Sequence, residues 1–530
     1  MKIKFFFVCA LSTPLVFGQL DSTHLNHNNV SAFISDAGCY FYDFDNHKKG
    51  YEVPKHSGVH ALESMQFWFA VKDANGQIRM SQGGVPGQGS DVFNGPISDS
   101  LSYASSQYSE LWGKSIWSIC QSTIDQYTLN YNCNQNPNCT DDFPLTTLEN
   151  EQIMNWPAHG DPSLGQSFYL APFFDQAINN GSGDGFYDPS QGDVPSIKGC
   201  CATYLIQNDE AQIHTLTNTQ AIGIEFHLMF YQYRSWNHLN NVTFIDIKAI
   251  NYSGQDYPEF VHSVAIEAAL GNETDDFMGS DSTSNTLYFY NADNDDEYGP
   301  TSLGYGLNPP TIGVVALQQN ISSSVPYTGN ESVNEKWNLM QGLQTNGNSW
   351  LHPNGYETKF VYSGNPNNSS EWSELGEGNT PGNAKGLLSM DLGVFKDGDT
   401  LNQSYAIVYA REGNHLENVQ ALIDNAIDLK SFYTNESDLP CTEGTWNTKE
   451  YNNFNISIFP NPSSGVFYIT NPQEQKLTIS AFDLQGKLIL KQSTDHQNEI
   501  KVNLSNKPPG MYLLNLKQQD KTVIKKVLVH

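Results

Sequence analysis

The chain has 530 residues and carries 57 Asp plus Glu against 27 Lys plus Arg, which gives a formal net charge of −30. Hydrophobic residues make up 38% of the chain and aromatic residues 12%, so it can build a sizeable core and is not a disordered polyacidic protein. The shortage of basic residues argues against a nucleic-acid binder and against adsorption to anionic membranes.

Residues 1–18 have the pattern of a secretory signal peptide. Lys2 and Lys4 form a positive start, and residues 5–17 form a largely apolar stretch. That stretch suits a signal-peptide core but is too short to span a bilayer comfortably. Val16 and Gly18 fit the small-residue cleavage pattern, so we expect Gln19 to begin the mature chain. No later run approaches about 18 consecutive apolar residues, so we expect no transmembrane segment.

Seven of the eight cysteines follow the predicted signal peptide, and an odd number leaves at least one thiol unpaired or intermolecular. Export permits disulfides in the mature chain. Cys133 and Cys139 bracket an Asn-rich loop and are the most plausible local pair. A metal site formed by these two cysteines with Cys120 is the alternative.

Residues 19–440 form an acidic body whose coarse pattern is β. Its clearest strand-like segments mix alternation with aromatic and β-branched content, and clusters of Gly, Asn, Asp and Pro divide them. They are residues 65–71, 221–233, 242–251, 261–268, 287–290, 312–317 and 405–409. Residues 416–432 instead repeat apolar side chains at helical spacing, which predicts an amphipathic helix packed on a sheet. That stripe consists of Leu416, Val419, Leu422, Ile423, Ala426 and Ile427.

Residues 180–193 contain the first candidate calcium site. Its candidate ligands are Asn180, Ser182, Asp184, Asp188 and Asp193. The first three occupy positions one, three and five of a calcium loop, with Gly185 at the sixth position. Position twelve is Gln191 where a bidentate Glu is usual, so one of the last two aspartates would have to replace it. A Gly-rich loop stabilised by Asx turns, without metal, is the alternative.

A second acidic group spans residues 275–297. Its members are Asp275, Asp276, Asp281, Asp293, Asp295, Asp296 and Glu297. Asp276 and Asp293 flank a hairpin-sized span, so a strand and a turn could bring the two halves together. Repulsion among carboxylates favours protonation or a bound cation, and hard oxygen ligands favour calcium. A solvated acidic loop is the alternative.

Residues 453–530 differ in charge from the body, with nine Lys against five Asp plus Glu, which leaves −36 for residues 19–452. This reversal marks a domain boundary, and we interpret residues 441–452 as a linker. Seven short alternating runs, divided by Pro, Gly and Asn turns, describe a small antiparallel β-sandwich. They are residues 456–459, 466–469, 477–482, 487–490, 500–504, 511–516 and 522–529.

The segments IFPNPSSGVFYI, ISAFDLQGKLIL, PPGMYLLNL and TVIKKVLV resemble the type A C-terminal sorting domain of the type IX secretion system. That system exports proteins across the outer membrane of Bacteroidota-type Gram-negative bacteria. The resemblance implies a cargo tag that the secretion machinery binds through residues 453–530. Such a tag is usually removed as the protein is anchored to surface lipopolysaccharide or released. We therefore expect a secreted protein that is extracellular or anchored to the outer-membrane surface. An Ig-like binding module that stays attached is the alternative.

The body also resembles a group of large, uncharacterised, surface-directed proteins that carry this sorting domain. Residues 51–58 (YEVPKHSG), 67–78 (FWFAVKDANGQI) and 271–299 are among the similar stretches. The similarity runs from about residue 29 to residue 432, and it implies a shared architecture but no reaction. Part of residues 176–182 looks like a local insertion relative to the group.

Common local motifs of catalysis are missing from the sequence. We find no HExxH, GxSxG, Walker A or GxGxxG pattern and assign no catalytic residue. A glycosidase stays open because its two carboxylates need no local motif. Five tryptophans could stack on sugars in a hydrolase or a lectin, with burial in the core as the alternative. They are Trp68, Trp112, Trp117, Trp156 and Trp236.

We therefore predict a mainly β protein, with a large β-sandwich-like body, few helices and a C-terminal Ig-like β-sandwich. Our leading functional interpretation is a calcium-stabilised structural, adhesive or glycan-binding protein at the cell surface. The alternative is a secreted polysaccharide hydrolase that uses paired carboxylates. A groove holding two carboxylates ~5–10 Å apart would favour the hydrolase, and a sandwich without a cleft would favour the structural role.

Overall fold

The computed structural model describes most of the chain in two compact units, residues 1–441 and 442–530. The described residues are 21–84, 88–99, 102–103, 105–140, 143–176, 183–235, 237–299, 303–435, 458–461, 463–470, 476–482, 488–494, 497–508, 510–518 and 521–529. The predicted signal peptide (1–18) and the predicted linker (441–452) lie outside these residues.

Within its described residues the body is built mainly from β-strands. The strands are β1 (Ser22–Leu25), β2 (Ser31–Ser35), β3 (Cys39–Tyr40), β4 (Tyr42–Asp43), β5 (Lys48–Lys49), β6 (Tyr51–Glu52), β7 (His60–Lys72), β8 (Ile78–Gln82), β9 (Phe93–Asn94), β10 (Ile116–Cys120), β11 (Phe173–Phe174), β12 (Val194–Pro195), β13 (Cys201–Asn208), β14 (Ile224–Gln232), β15 (Val242–Asn251), β16 (Tyr257–Ala268), β17 (Asp276–Asp281), β18 (Thr286–Asn291), β19 (Asp295–Asp296), β20 (Gly306–Leu307), β21 (Thr311–Ala316), β22 (Ser323–Pro326), β23 (Trp350–Leu351), β24 (Glu357–Thr358), β25 (Lys385–Phe395) and β26 (Thr400–Ala410).

Few helices accompany these strands, as predicted. They are α1 (Ser106–Trp112), α2 (Gln121–Gln135), α3 (Thr147–Met154), α4 (Val333–Met340) and α5 (His415–Asn435), with short 3₁₀ helices at Pro162–Leu164, Pro189–Gln191 and His238–Asn241.

Two large antiparallel sheets organise the body. The first has the order β1-β2-β6-β7-β16-β25-β22, and β3 and β8 also pair with β7. The second has the order β10-β13-β14-β15-β26-β21-β18-β17, and β9 also pairs with β13. Every strand-like segment predicted for the body lies in one of these two sheets, so those predictions are confirmed.

The main core lies between the two sheets. Along β7, Met65, Phe67 and Phe69 join the same buried cluster as Phe226 and Phe230 of the second sheet. Because successive side chains of a strand point to opposite faces, Trp68 and Ala70 lie on the outer face of the first sheet. There they pack with the side chains of α4. The body is therefore a β-sandwich with helices added on its outer faces, as predicted.

The long helix α5 covers the outer face of the second sheet and confirms the helix predicted at 416–432. Val419, Leu422 and Ala426 of the predicted stripe are fully buried. Ile427, which the stripe also included, is 50% exposed, so its predicted burial is wrong. Leu429, seven residues after Leu422 and on the same face, is buried instead.

Disulfides tie the body together locally. Cys133 and Cys139 are bonded to each other, which confirms the predicted pair. Cys120 is bonded to Cys201, its direct partner in the ladder of β10 and β13. The alternative metal site of Cys120, Cys133 and Cys139 is therefore wrong. Cys200 is also disulfide-bonded, and Cys39 is a buried free thiol.

The second unit is a small β-sandwich. Its strands are β27 (Ile458–Phe459), β28 (Val466–Thr470), β29 (Leu477–Phe482), β30 (Leu488–Thr494), β31 (Glu499–Asn503), β32 (Gly510–Gln518) and β33 (Lys521–Val529). They form sheets of order β27-β28-β31 and β30-β29-β32-β33. Alternate residues such as Phe467, Ile479 and Leu514 form its core. Each predicted run of this region coincides with one of these strands, so the predicted fold class is confirmed.

Candidate functional site

The loop predicted to bind calcium at 180–193 is held by its own aspartates. Asn180 and Ser182 lie outside the described residues. Asp193 is buried and accepts hydrogen bonds from the N–H groups of Gln176 and Asp188, both at 2.7 Å. Asp188 in turn caps the 3₁₀ helix at Pro189–Gln191 by accepting from the Ser190 N–H at 2.9 Å.

The remaining aspartates of this loop bind main-chain groups in the same way. Asp184 accepts from the Phe186 N–H at 2.9 Å. Asp175, which the sequence did not single out, accepts from the N–H groups of Asp184 at 3.2 Å and Gly185 at 2.8 Å. These contacts suit an Asx-stabilised loop. Calcium binding by this loop stays a prediction.

The second acidic group is divided by the hairpin of β17 and β18. Asp276 lies opposite Asn291 in that ladder, so Asp275, Asp276 and Asp293 meet at one end of the hairpin. Asp281 lies at the other end, opposite Thr286, where its carboxylate accepts from the Thr283 N–H at 3.0 Å. The structure therefore brings together the predicted halves around Asp276 and Asp293 but separates Asp281 from them.

Two buried aspartates form the centre of this acidic hairpin end. Asp276 is 2% exposed, and its Oδ2 accepts from the Leu270 N–H at 3.1 Å while its Oδ1 has no hydrogen-bond partner. Asp296, 1% exposed, accepts from the N–H groups of Asn272 at 3.0 Å and Tyr305. Gly271, at φ +68°, makes room for Asp296, because a Cβ there would collide with the carboxylate.

Burial makes these carboxyl groups poor acids. It raises the pKa of Asp276 well above its usual range, and the charges of Asp275 and Asp296 add to this shift. Burial likewise raises the pKa of Asp296 to about 6 and increases that of Asp275. Lys49 opposes the shift at Asp276 but is itself 2.6 Å from Glu273 Oε2. When the carboxyl groups of this acidic end ionise, the positive charge of Lys49 is shared with Glu273.

The donor set of the acidic hairpin end fits a hard cation. Asp275 Oδ1 is buried without a partner, as is Asp276 Oδ1, and carboxylate oxygens are the ligands calcium prefers. Nowhere in the described part of the chain do three carboxylates bring oxygens within 4.8 Å of one another. A calcium ion here would therefore also need main-chain oxygens and water. Asp295 is exposed at the edge of the group.

One other group of potential metal ligands occurs among the described residues. It consists of His27, Cys120 and Cys201, with ligand atoms within 4.8 Å of one another. His27 Nδ1 lies 3.2 Å from Cys201 Sγ. Because the two sulfurs are joined in a disulfide, they are not available as thiolates to a metal.

A cavity of about 530 Å³ lies on the outer face of the first sheet, and we call it the outer-face cavity. Its floor consists of Gln66 and Trp68, which alternate with core residues along β7. The Trp68 Nε1–H donates to Gln66 Oε1 at 2.9 Å, and Gln82 Nε2 donates to the same oxygen at 3.1 Å. A network of polar groups therefore holds the floor in place.

Aromatic rings form the walls of the outer-face cavity. Tyr42 and Phe44 pair at a centroid distance of 4.8 Å, and both are partly exposed. Tyr327 packs edge-on against Trp68 at 5.4 Å. The buried Lys336 donates to Gln82 Oε1 at 2.7 Å and lies 5.1 Å from the Trp68 ring centroid. Rings beside fixed polar groups are the usual lining of small-molecule sites.

Two glutamates enter this cavity from neighbouring strands. Glu267 of β16 is paired with Ser64 of β7, and the next pair is Ala268 with Leu62, which leaves Glu63 as the extra residue of a β-bulge. Both glutamates line the cavity. Lys385 Nζ lies 2.5 Å from Glu267 Oε1. Burial raises the pKa of Glu63, and the charge of Glu267 adds to that shift.

A second, polar cavity of about 400 Å³ includes Asp281, Tyr288 and Glu371 among its lining residues. Its Glu371 carboxylate already accepts from the Asn365 N–H at 2.7 Å and from Asn368 Nδ2 at 2.8 Å. Tyr288 is buried, so this cavity lacks the partly exposed aromatic pair of the outer-face cavity.

Most of the tryptophans considered for sugar stacking are core residues. Trp68, Trp112 and Trp156 are at most 5% exposed. Trp117 is partly buried, and Trp236 lies outside the described residues. The rings available to a ligand in the outer-face cavity are instead those of Tyr42 and Phe44. No local sequence pattern marks these two rings as ligand-binding, because the cavity is assembled from distant segments.

Residues 457–530 match the family described as the secretion system C-terminal sorting domain. The chain carries a type IX secretion sorting domain. The protein is therefore secreted, reaches the cell surface or the medium, and interacts with the type IX secretion machinery. Among the described residues, no helix is both long and apolar enough to cross a membrane.

No curated relative matches the chain. Solved structures that are similar to parts of the chain include the following three. A DUF3244 family protein with an immunoglobulin-like β-sandwich fold from Bacteroides vulgatus shares 17% identity, covering 17% of this chain and 93% of its own, at a TM-score of 0.14. A polysaccharide lyase shares 9% identity (57% of this chain, 34% of its own, TM-score 0.17). The BSP domain of a biofilm-associated protein shares 8% identity, covering 62% of this chain and 59% of its own, at a TM-score of 0.13. At these TM-scores none bears on function.

Proposed function

We propose that the exported body is a calcium-stabilised protein that binds saccharide at the cell surface, in the outer-face cavity. The observation that carries this proposal is the composition of the cavity. Partly exposed rings at Tyr42 and Phe44 stand beside fixed polar groups at Gln66, Gln82 and Lys336. A sugar ring offers C–H faces that pack on aromatic rings and hydroxyl groups that hydrogen-bond to amides and charged side chains.

The acidic hairpin end supports the calcium part of the proposal. Asp276 holds a buried carboxylate oxygen without a partner, and burying an ionised carboxylate without compensation is costly. A calcium ion bound by Asp275, Asp276 and neighbouring oxygens would remove that cost. The cation would then stabilise the edge of the second sheet rather than take part in saccharide binding.

We further propose that the released or surface-anchored form, after removal of the sorting domain, is the form that meets its ligand. In this proposal, surface lipopolysaccharide is the anchor of the attached form. A purely structural or adhesive role is the alternative for the body, and it predicts no saccharide affinity in the outer-face cavity.

The test is a glycan-array screen on the full mature chain, followed by calorimetry with the best ligand. Tyr42→Ala and Phe44→Ala should each weaken binding about tenfold or more, because burial of an aromatic side chain contributes ~1.5–3 kcal/mol. Phe174→Ala is the matched control, since Phe174 is 57% exposed and does not line the cavity.

A glycan-array screen that detects no saccharide ligand would overturn the proposal. Binding that both cavity variants leave unchanged would overturn the assignment to the outer-face cavity.

A further inference from the structure

The two cavity glutamates are close neighbours because of the β-bulge in β7. Directly opposed residues of antiparallel strands have Cβ atoms about 4.5–5.5 Å apart, and Glu63 is adjacent to Ser64, the direct partner of Glu267. A bulge turns a side chain away from its regular alternation, which allows Glu63 to share the cavity with Glu267. Two glutamate side chains on adjacent strands therefore line one ligand-sized cavity.

The two carboxyl groups have different surroundings. Glu267 Oε1 lies 2.5 Å from Lys385 Nζ and accepts from Asn383 Nδ2 at 3.1 Å, so a cation and an amide hold this carboxyl group in place. Glu63 is partly buried, and its environment favours the neutral form, an effect that Lys49 and Lys385 oppose. A carboxyl group held by a cation, beside a second carboxyl group without such a contact in the described part of the chain, is an arrangement in which the two groups can take different roles.

We propose that the outer-face cavity hydrolyses a glycosidic bond, with Glu63 as the acid and Glu267 as the nucleophile. This inference rests on the proposed saccharide binding and names what happens to the bound ligand. Retaining glycosidases hold their two carboxyl groups about 5–5.5 Å apart, a separation that flexible glutamate side chains on adjacent strands can reach. The anomeric configuration of the product should accordingly be the same as that of the substrate.

Two displacements balance the reaction. In the first, a Glu267 oxygen bonds to the anomeric carbon, the bond from that carbon to the leaving oxygen breaks, and Glu63 gives its proton to the leaving oxygen. In the second, water bonds to the anomeric carbon, Glu63 takes a proton from that water, and the bond to Glu267 breaks. One water is consumed, and both glutamates return to their starting states.

The remaining groups of the cavity have supporting roles. The Lys385 ammonium lies 2.5 Å from Glu267 Oε1 and orients that carboxyl group, and the aromatic pair of Tyr42 and Phe44 offers a surface for the sugar. Lys385 is a positioning residue in this scheme, since it acts on the substrate only through Glu267.

The experiment uses the full mature chain with a panel of 4-nitrophenyl glycosides and with the saccharides found on the array. Glu63→Gln should lower kcat by about 10²–10⁴-fold on natural linkages with little change in KM, because the proton donor is lost. The decrease in kcat of this variant should be much smaller on 4-nitrophenyl glycosides, because their leaving group needs no proton. Glu267→Gln should abolish turnover of both substrate types.

A matched control and a trapping experiment complete the test. Glu357→Gln, at an exposed position of β24, should leave turnover unchanged. A 2-deoxy-2-fluoro glycoside should label the protein at Glu267, as read by peptide mass spectrometry. Product formed with inverted configuration, or wild-type turnover by Glu267→Gln, would overturn the inference. Saccharide binding without turnover would overturn the inferred hydrolysis and leave the proposed function intact. Absence of saccharide binding would overturn both.

Discussion

Asp276 is the residue whose substitution tests calcium binding most directly. Its Oδ1 is buried without a partner, so Asp276→Asn removes an ionisable buried group and a candidate calcium ligand together. We expect this variant to be at least as stable as the wild type in chelator and to lose the stabilisation by calcium. That stabilisation is about 2.7 kcal/mol when free calcium is 100 times its Kd. Calorimetric melting of both proteins in chelator and in calcium measures it.

The chain offers a matched control at the far end of the same hairpin. Asp281→Asn should weaken the turn, because Asp281 accepts from the Thr283 N–H, but should keep the calcium response. An equal calcium response in the Asp276→Asn protein would contradict calcium binding at the acidic hairpin end. Loss of the response in an Asp184→Ala protein would assign it to the loop at 180–193 instead.

The same site should make the calcium response depend on pH. Raised pKa values mean that these aspartates contribute stability below their ordinary pKa, and that this contribution is lost as the pH rises through about 6 for Asp296. Calcium offsets the loss only when the carboxylates are ionised. We therefore expect its effect on Tm to be full near pH ~7.5 and to vanish near pH ~4.5, where protons compete.

Helix α5 is the element whose packing is easiest to test. Leu422 is fully buried against the second sheet, so Leu422→Ala should cost about 2–5 kcal/mol through lost burial and the cavity left behind. Ile427→Ala on the same helix is the control, because Ile427 is 50% exposed and should cost far less. Denaturant titration of both variants gives the comparison, and equal losses would contradict the observed orientation of the helix.

Strands and helices differ in how far the sequence predicted them. Strongly alternating strands and the apolar stripe of α5 were predictable because burial on one face imposes a period. Helix α2 was not, since of its residues only Thr123 and Ile124 are buried and no stripe marks it. Helices α3 and α4 do carry a signal in the capping boxes Thr146–Glu149 and Ser332–Glu335, which apolar periodicity does not reveal.

The candidate sites likewise differ in how far the sequence could predict them. The hairpin that joins Asp276 to Asp293 could be predicted because both residues flank one strand and one turn. The pair of Glu63 and Glu267 could not, because about 200 positions separate them in the sequence and a single-residue bulge brings them together. Neither the pairing of distant strands nor a local bulge leaves a pattern in a single sequence.

For the whole molecule, the sorting domain makes a separate prediction about export. Deleting residues 453–530 should leave the protein in the periplasm, because the type IX machinery recognises its cargo through this domain. Fractionation with antibodies against the body measures the outcome, and a protein with residues 1–452 fused to another sorting domain should again reach the surface. Unchanged surface display of the deleted form would contradict the role of the domain.

The order of strands in the second sheet also determines when the body can fold. Strand β26 (Thr400–Ala410) lies between β15 and β21, and β25 (Lys385–Phe395) lies between β16 and β22 in the first sheet. Both sheets therefore depend on strands from the last part of the body to be synthesised. A chain emerging from the ribosome cannot complete either sheet until about residue 410 has emerged, and such long-range pairing is slow. Both large sheets of the body are thus incomplete until nearly all of its residues have been synthesised.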